Sequence, residues 1–178
     1  MDFELQPILE NEWVKIIPLK NSDFEILYNI ASDPLIWEQH PNKDRYKKEV
    51  FENFFKGAIE SKGAFLILDN KNNMHIGSSR YYDLDLDKSE VAIGYTFIAR
   101  SHWGIGHNKA IKELMLEHAF KFVDNVIFHI GANNIRSQKA IEKIGANKIK
   151  EEEIAYYGEA SKLNYVYKIS SNLVRSEK

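Results

Sequence analysis

The stretch Tyr95-Thr-Phe-Ile-Ala-Arg-Ser-His-Trp-Gly-Ile-Gly-His-Asn-Lys109 constrains this chain more than any other part of it. Thr96, Phe97 and Ile98 are β-branched or aromatic and favour an extended backbone. Gly104 and Gly106 then permit positive φ and a close approach of the backbone to another group. Beyond the turn, Ala110, Ile111, Leu114, Met115, His118, Ala119 and Phe122 recur every three or four residues, the apolar stripe of one long helix. The first turn of such a helix leaves N–H groups unpaired at the positive end of its dipole, which suits an anion and a phosphate above all. No acidic side chain between Arg100 and Lys112 opposes one. A strand-to-helix connection with no ligand accounts for the glycines equally well.

Two other phosphate loops are excluded. A dinucleotide fingerprint needs a third glycine where Lys109 stands, and its acidic residue closes the next strand, whereas Asp124 precedes that strand. A P-loop needs Gly-Lys-Ser/Thr, which is absent. The 178 residues suit one domain, 1–178, with a core of its own. A formal net charge of −2 without a basic stripe argues against nucleic acid as a partner. The absence of cysteine removes thiol nucleophiles, disulfides and thiolate metal sites, and agrees with a cytoplasmic location. No apolar run approaches ~18 residues and no basic-then-apolar leader opens the chain, so neither export nor a membrane span is expected.

In chain order, Trp13–Leu19 reads as a first strand, placed at an edge because Pro18 cannot donate to a ladder. Ser22-Asp-Phe-Glu25 is a capping-box pattern opening a short helix that ends before Pro34. The link Leu35–Pro41 is apolar and aromatic for a loop, a plug over the core or a wall of a substrate pocket. Asp44 can cap a second helix striped by Tyr46, Val50, Phe51, Phe54, Phe55, Ala58 and Ile59, with Gly63 past its end. Strands at Ala64–Leu68, Met74–Tyr82 and Glu90–Ala99 have the spacing of an antiparallel meander. Val126–Ile130, after the long helix, suits a parallel partner reached by a right-handed crossover. Asn134 can cap a short helix that Gly145 stops, two strands (Asn147–Ile154 and Leu163–Ser170) follow, and the polar end reads as frayed.

This order resembles the GNAT acetyltransferase superfamily over nearly the whole chain. Val91-Ala-Ile-Gly94-Tyr95-Thr-Phe looks like the family's fourth strand, and Trp103-Gly-Ile-Gly106-His-Asn108 is similar to its pyrophosphate loop, with Trp103 replacing the usual Arg or Gln. Asn134-x-x-Ser137-(x)5-Lys143-x-Gly145 resembles the following motif, especially in the branch that acetylates ribosomal-protein N-termini. The resemblance implies an α/β (α+β) fold: a mixed, mostly antiparallel sheet of about seven strands, splayed between the fourth and fifth, with about four helices. It also implies an acetyl-CoA-dependent N-acetyltransferase acting on a primary amine, either a protein N-terminus or a small molecule, with no metal. Pantetheine would lie in the splay against backbone near Phe97 and Ile98. The diphosphate would meet N–H groups of the turn, among Trp103, Gly104, Ile105, Gly106, His107 and Asn108, with Asn134, Arg136 and Ser137 completing the CoA site. Asn134 as a plain helix cap and Arg136 as a solvated cation are the alternatives. The sequence does not choose between a monomer and a homodimer.

Family members often place a base directly before Ile-Gly-Tyr; Ala92 stands there, and Glu90 is the nearest carboxylate, returned to the same strand face two residues away. Glu90 is therefore either a base acting through a water or a solvent-facing strand-end charge. The tyrosine that many members use as acid is Ile141 here, which leaves Ser137 to orient the leaving sulfur. Trp37, Arg80, Tyr82 and Tyr157 are expected on the acceptor side. His102 and His107 straddle the turn without a carboxylate triad nearby, and no His-Glu-x-x-His occurs, so no metal site is read. A non-catalytic acyl-CoA sensor is the rival function.

Overall fold

The computed structural model describes residues 3–171. The end expected to fray, 172–178, lies outside the described residues. Strands β1 (Leu9–Glu10) and β2 (Val14–Pro18) lead to helices α1 (Phe24–Ala31) and α2 (Lys48–Glu60). Strands β3 (Ala64–Asp69), β4 (His75–Asp85) and β5 (Glu90–Ile98) form the meander, and α3 (His107–Ala119) crosses to β6 (Asn125–Gly131). Helix α4 (Ile135–Glu142) precedes β7 (Asn147–Ile154) and β8 (Lys162–Ser170). All eight strands belong to one sheet in the order β1-β2-β3-β4-β5-β6-β8-β7, antiparallel except where β5 meets β6. No described helix is long and apolar enough to cross a membrane.

Three boundaries differ from the sequence reading. The eighth strand is β1, which pairs Leu9 with Ile16 and Glu10 with Lys15, so β2 is not an edge. Pro18 is still harmless, because its missing N–H lies beyond this two-residue ladder. The cap before α1 is the Asp23 carboxylate accepting the Lys20 N–H at 2.8 Å, not Ser22. Helix α2 begins four residues after Asp44, whose carbonyl accepts the Lys47 N–H at 2.9 Å in a preceding turn.

The splay has a local cause. On β5, Phe97 pairs with Ser78 and Gly94 with Arg80, so Tyr95 and Thr96 together oppose Ser79. This extra residue is a bulge, and Tyr95 takes φ 52° to make it. The parallel ladder with β6 stops at Ala92↔Ile127, after the pairs Glu90↔Asn125 and Val91↔Val126. Past that point β5 bends with β4 while β6 stays paired with β8 as far as Gly131. A notch opens between them.

Both faces of the sheet are packed, by different elements. Ile111 and Met115 of α3 and Ile141 of α4 bury Val91, Ile93, Val126 and Phe128 on one face. On the other, Leu27 of α1 and Phe51, Phe54 and Phe55 of α2 cover Leu66 and Phe97. A smaller cluster of Ala92, Ile127 and Val166, with Tyr82 against it, lies beside them.

Candidate active site

The turn that opens α3 is built as its glycines require. Gly104 has φ 72° and Gly106 φ 104°, a region L-residues avoid. No side chain caps the first turn of α3, so its N–H groups face outward without a side-chain partner. In front of them lies a groove of about 460 Å³. It brings together Phe97 and Ile98 from β5, Trp103, Gly104, Gly106 and Asn108 from the turn, and Asn134, Arg136 and Ser137 from α4. Two residues expected there are elsewhere: Ile105 projects into solvent at 54% exposure, and His107 is buried behind the turn. Lys109, Lys112, Lys139 and Lys143 join Arg136 in the lining, and among the described residues no carboxylate does.

Trp103 ties the turn to the strand. Its Nε1–H donates to the Ile98 carbonyl at 3.0 Å, and the Arg136 guanidinium stacks 3.9 Å from its ring centroid. Arg136 also donates through Nη2 to the Ile36 carbonyl at 3.3 Å. The indole thus anchors backbone and cation together where the family usually has a single polar side chain. Asn134 caps α4 by accepting the Ser137 N–H through Oδ1 at 3.2 Å, while remaining in the groove lining.

The groove continues into the notch, a cavity of about 100 Å³ between Gly94–Thr96 and Phe128–Gly131. His40, Thr96, Lys112, Asn134 and Ser137 line both spaces. The Lys112 ammonium lies 2.5 Å from Thr96 Oγ1, which in turn meets Ser79 Oγ at 2.8 Å. Burial pushes the Lys112 amine down to about 7. Burial, and then the charges of Arg45 and Arg136, hold the His40 imidazole well below the usual histidine range. His129 on β6 is lowered mainly by burial, and its Nδ1 lies 2.8 Å from the Tyr82 hydroxyl. Tyr156 closes the notch, its hydroxyl donating to Asn164 Oδ1 at 2.7 Å. Among the described residues no carboxylate lines the notch.

A third cavity, of about 860 Å³, has Ala92, Ile127 and Val166 as its floor and Asp83, Asp85, Asp87 and Glu90 among its walls, with Lys88, Lys150 and Lys168. His129 lines both this cavity and the notch. Glu90 therefore lies on the acidic cavity and not in the notch: it precedes Thr96 by six residues of strand, roughly 20 Å of rise.

The residues expected on the acceptor side divide. Tyr82 reaches His129, and Arg80 stacks its guanidinium 3.9 Å from the Tyr95 ring centroid while donating to the Phe54 carbonyl at 3.4 Å. Trp37 is fully buried, donates from Nε1 to the Ala31 carbonyl at 2.7 Å and walls the groove at the α3 terminus. Like Arg80 and Tyr82, Tyr157 lines none of these three cavities; it packs over Gly57, and its carbonyl accepts from Asn53 Nδ2 at 3.1 Å. Its neighbour Tyr156 turns the other way, into the notch.

His129 reads from the sequence as a core or edge residue of its strand, and His40, Tyr156 and Lys112 do not stand out as site residues. Lys112 carried a readable signal, since it falls on the buried helical stripe between Asn108 and Met115. The histidines flanking the turn also gain a partner: the end of β3 delivers Asp69, whose Oδ2 lies 3.2 Å from His102 Nε2 and 3.6 Å from His107 Nε2.

Uncapped helix, cationic groove and splayed strands together define an acyl-CoA-type transferase site. The family described as Acetyltransferase (GNAT) domain matches residues 14–147, and the chain belongs to this family. Enzymes of this family draw the acetyl group from acetyl-CoA. Similar solved structures include a GCN5-related N-acetyltransferase from Brucella melitensis, with TM-score 0.80 and 14% identity over 94% of this chain and 80% of that one. A spermidine N-acetyltransferase from Vibrio cholerae, solved with CoA and spermine, has TM-score 0.68 and 15% identity over 91% of this chain and 98% of that one. A ribosomal-protein-S5-alanine acetyltransferase from Vibrio fischeri has TM-score 0.69 and 16% identity over 94% and 98% respectively. No curated protein matches the chain.

Proposed function

We propose that this protein moves an acetyl group from acetyl-CoA directly to a primary amine, with both substrates bound at once. The observation that carries this reading is the contrast between two spaces on either side of the notch. The groove at the α3 terminus is lined by cations and, among the described residues, by no carboxylate; beyond the notch, across His129, lies a cavity in which four carboxylates, Asp83, Asp85, Asp87 and Glu90, outnumber Lys88, Lys150 and Lys168. A polyanion suits the first and an ammonium the second.

In this reading the CoA diphosphate rests on the N–H groups from Gly104 to Asn108, with Arg136, Lys139 and Lys143 around it. The pantetheine arm runs along the edge of β5 that the bulge frees near Phe97 and Ile98, as an added half-strand. Its thioester then enters the notch beside Ser137. The acceptor comes from the acidic side, where Glu90 and its neighbours draw a cation and need not move a proton. An ammonium has no lone pair, so it must first be deprotonated. His129 is the neutral group common to both cavities; it takes the proton, and Tyr82 holds its ring. The free amine attacks the thioester carbon; the C–S bond then breaks, the nitrogen gives up its second proton, and the departing CoA sulfur, which Ser137 orients, takes up that proton to leave as the thiol. Holding both reactants in one channel supplies the proximity that direct transfer needs.

The acceptor is a small cationic amine or the N-terminus of a protein. A non-catalytic acyl-CoA sensor would have no use for the acidic approach. The test is release of free thiol from acetyl-CoA in the presence of a panel of polyamines, amino-acid amides and peptide N-termini. Amine-dependent release supports the enzyme, and CoA binding without release from any amine supports the sensor.

A further inference from the structure

Behind the glycine turn, on the side away from the groove, three ligand-type side chains converge in the interior. Asp69, His102 and His107 are 6%, 8% and 6% exposed, and one ligand atom from each lies within 4.8 Å of the others. Outward contacts to Asp69 and His102 leave one atom of each facing inward. The Lys71 N–H donates to Asp69 Oδ1 at 2.8 Å, which leaves Oδ2 for the histidines. Ser101 Oγ lies 2.9 Å from His102 Nδ1, so an Nδ1–H donated to that oxygen turns the Nε2 lone pair inward. Such a second contact is the usual means of fixing the tautomer of a ligating imidazole.

Hydrogen bonding alone does not account for the cluster. His107 has no hydrogen-bond partner at either Nδ1 or Nε2, although both are buried. Leaving such a group unpaired incurs its desolvation penalty with nothing to offset it. At 3.6 Å its Nε2 is too far from Asp69 Oδ2 for a hydrogen bond, and that oxygen already faces His102 at 3.2 Å. Those two separations bracket a different distance. Ligands about 2.0–2.1 Å from a tetrahedral zinc ion stand about 3.3 Å apart along the tetrahedron's edges.

We propose that Asp69, His102 and His107 form a zinc site that fastens the phosphate-binding turn to the end of β3. Two imidazoles and one carboxylate are a donor set suited to zinc, with the fourth position left to water. The two histidines are the residues on either side of Trp103-Gly-Ile-Gly106, so the ion clamps both ends of the turn at once. Trp13 covers the site from outside, edge to face with the His107 ring at 5.6 Å between centroids. The turn's two positive-φ glycines give it little stiffness of its own, and a metal tether behind it supplies what the chain lacks.

The test needs neither CoA nor an acceptor, so its outcome is independent of the proposed acetyl transfer. Protein stripped with a chelator and moved to metal-free buffer is titrated with Zn²⁺ by calorimetry. A single saturable site per chain is expected, with a higher Tm on loading and, after cobalt(II) substitution, the visible bands of a tetrahedral ion. Asp69→Asn and His102→Ala should each abolish binding. If either fails to fold, Ser101→Ala keeps the measurement decisive. Its hydroxyl is exposed and only orients a ring, so zinc affinity should fall about 10–100-fold with an unchanged circular dichroism spectrum. Folded wild-type protein that takes up no zinc overturns the site, as does zinc affinity unchanged by Asp69→Asn or Ser101→Ala.

Discussion

Gly106 shows how much one residue decides here. Its φ of 104° opens α3 with N–H groups facing the groove, and a Cβ would point toward the Trp13 ring at 3.6 Å. That gap is ordinary contact, so Gly106→Val acts through the backbone: strain of about 1–3 kcal/mol, or a shifted turn. The variant should remain folded with a lowered Tm and lose most of its CoA affinity by calorimetry; undiminished affinity would remove the turn from the site. His129 makes the corresponding prediction for chemistry. A base must be neutral, and burial lowers this imidazole below 6.5. Activity should therefore hold through neutral pH and fall only as the pH drops through the depressed value. His129→Gln should lower kcat by ~10²–10⁴-fold and erase that acid limb, while CoA affinity stays put. A Gln variant that keeps both kcat and the limb would clear His129 of the role. Glu90→Gln should instead raise the acceptor KM more than it lowers kcat.

At the scale of elements, what could be read from the sequence was what is local. The glycine turn, the stripe of α3, the Asn134 cap and the meander each follow from residues close together in the chain. What could not be read depends on register. His129 faces the carboxylate-bearing cavity because Val166 lies opposite it and Ile127 opposite Ala92. Asp69 meets His102 only because β3 ends beside the start of α3. Glu90 was the nearest carboxylate in sequence, but the β5 strand carries it away from the notch. Helix α4 offers a clean test of two roles held by one side chain. Asn134→Ser keeps a capping oxygen, whereas Asn134→Ala removes it and should cost about 1 kcal/mol of stability. If the amide also binds the pantetheine arm, both variants should weaken CoA binding; weakening in the alanine variant alone would leave only the cap.

Across the whole molecule, the cation-lined groove leads into the notch that His129 helps to line, and the cavity on the other side of His129 carries four carboxylates against three lysines. Charge steering of the acceptor is screened by salt, with a Debye length of about 8 Å at physiological ionic strength. Raising ionic strength should therefore reduce kcat/KM for a doubly charged amine more than for a singly charged one of similar size. Equal losses would argue that the acidic cavity is not the approach. The account as a whole depends on direct transfer between two bound substrates. Initial velocities measured over a matrix of acetyl-CoA and amine concentrations test this most directly. Double-reciprocal plots should give lines that intersect, the pattern of a ternary complex in which the amine attacks the thioester itself. Parallel lines, with an acetylated form of the protein detected by mass spectrometry after acetyl-CoA alone, would contradict it.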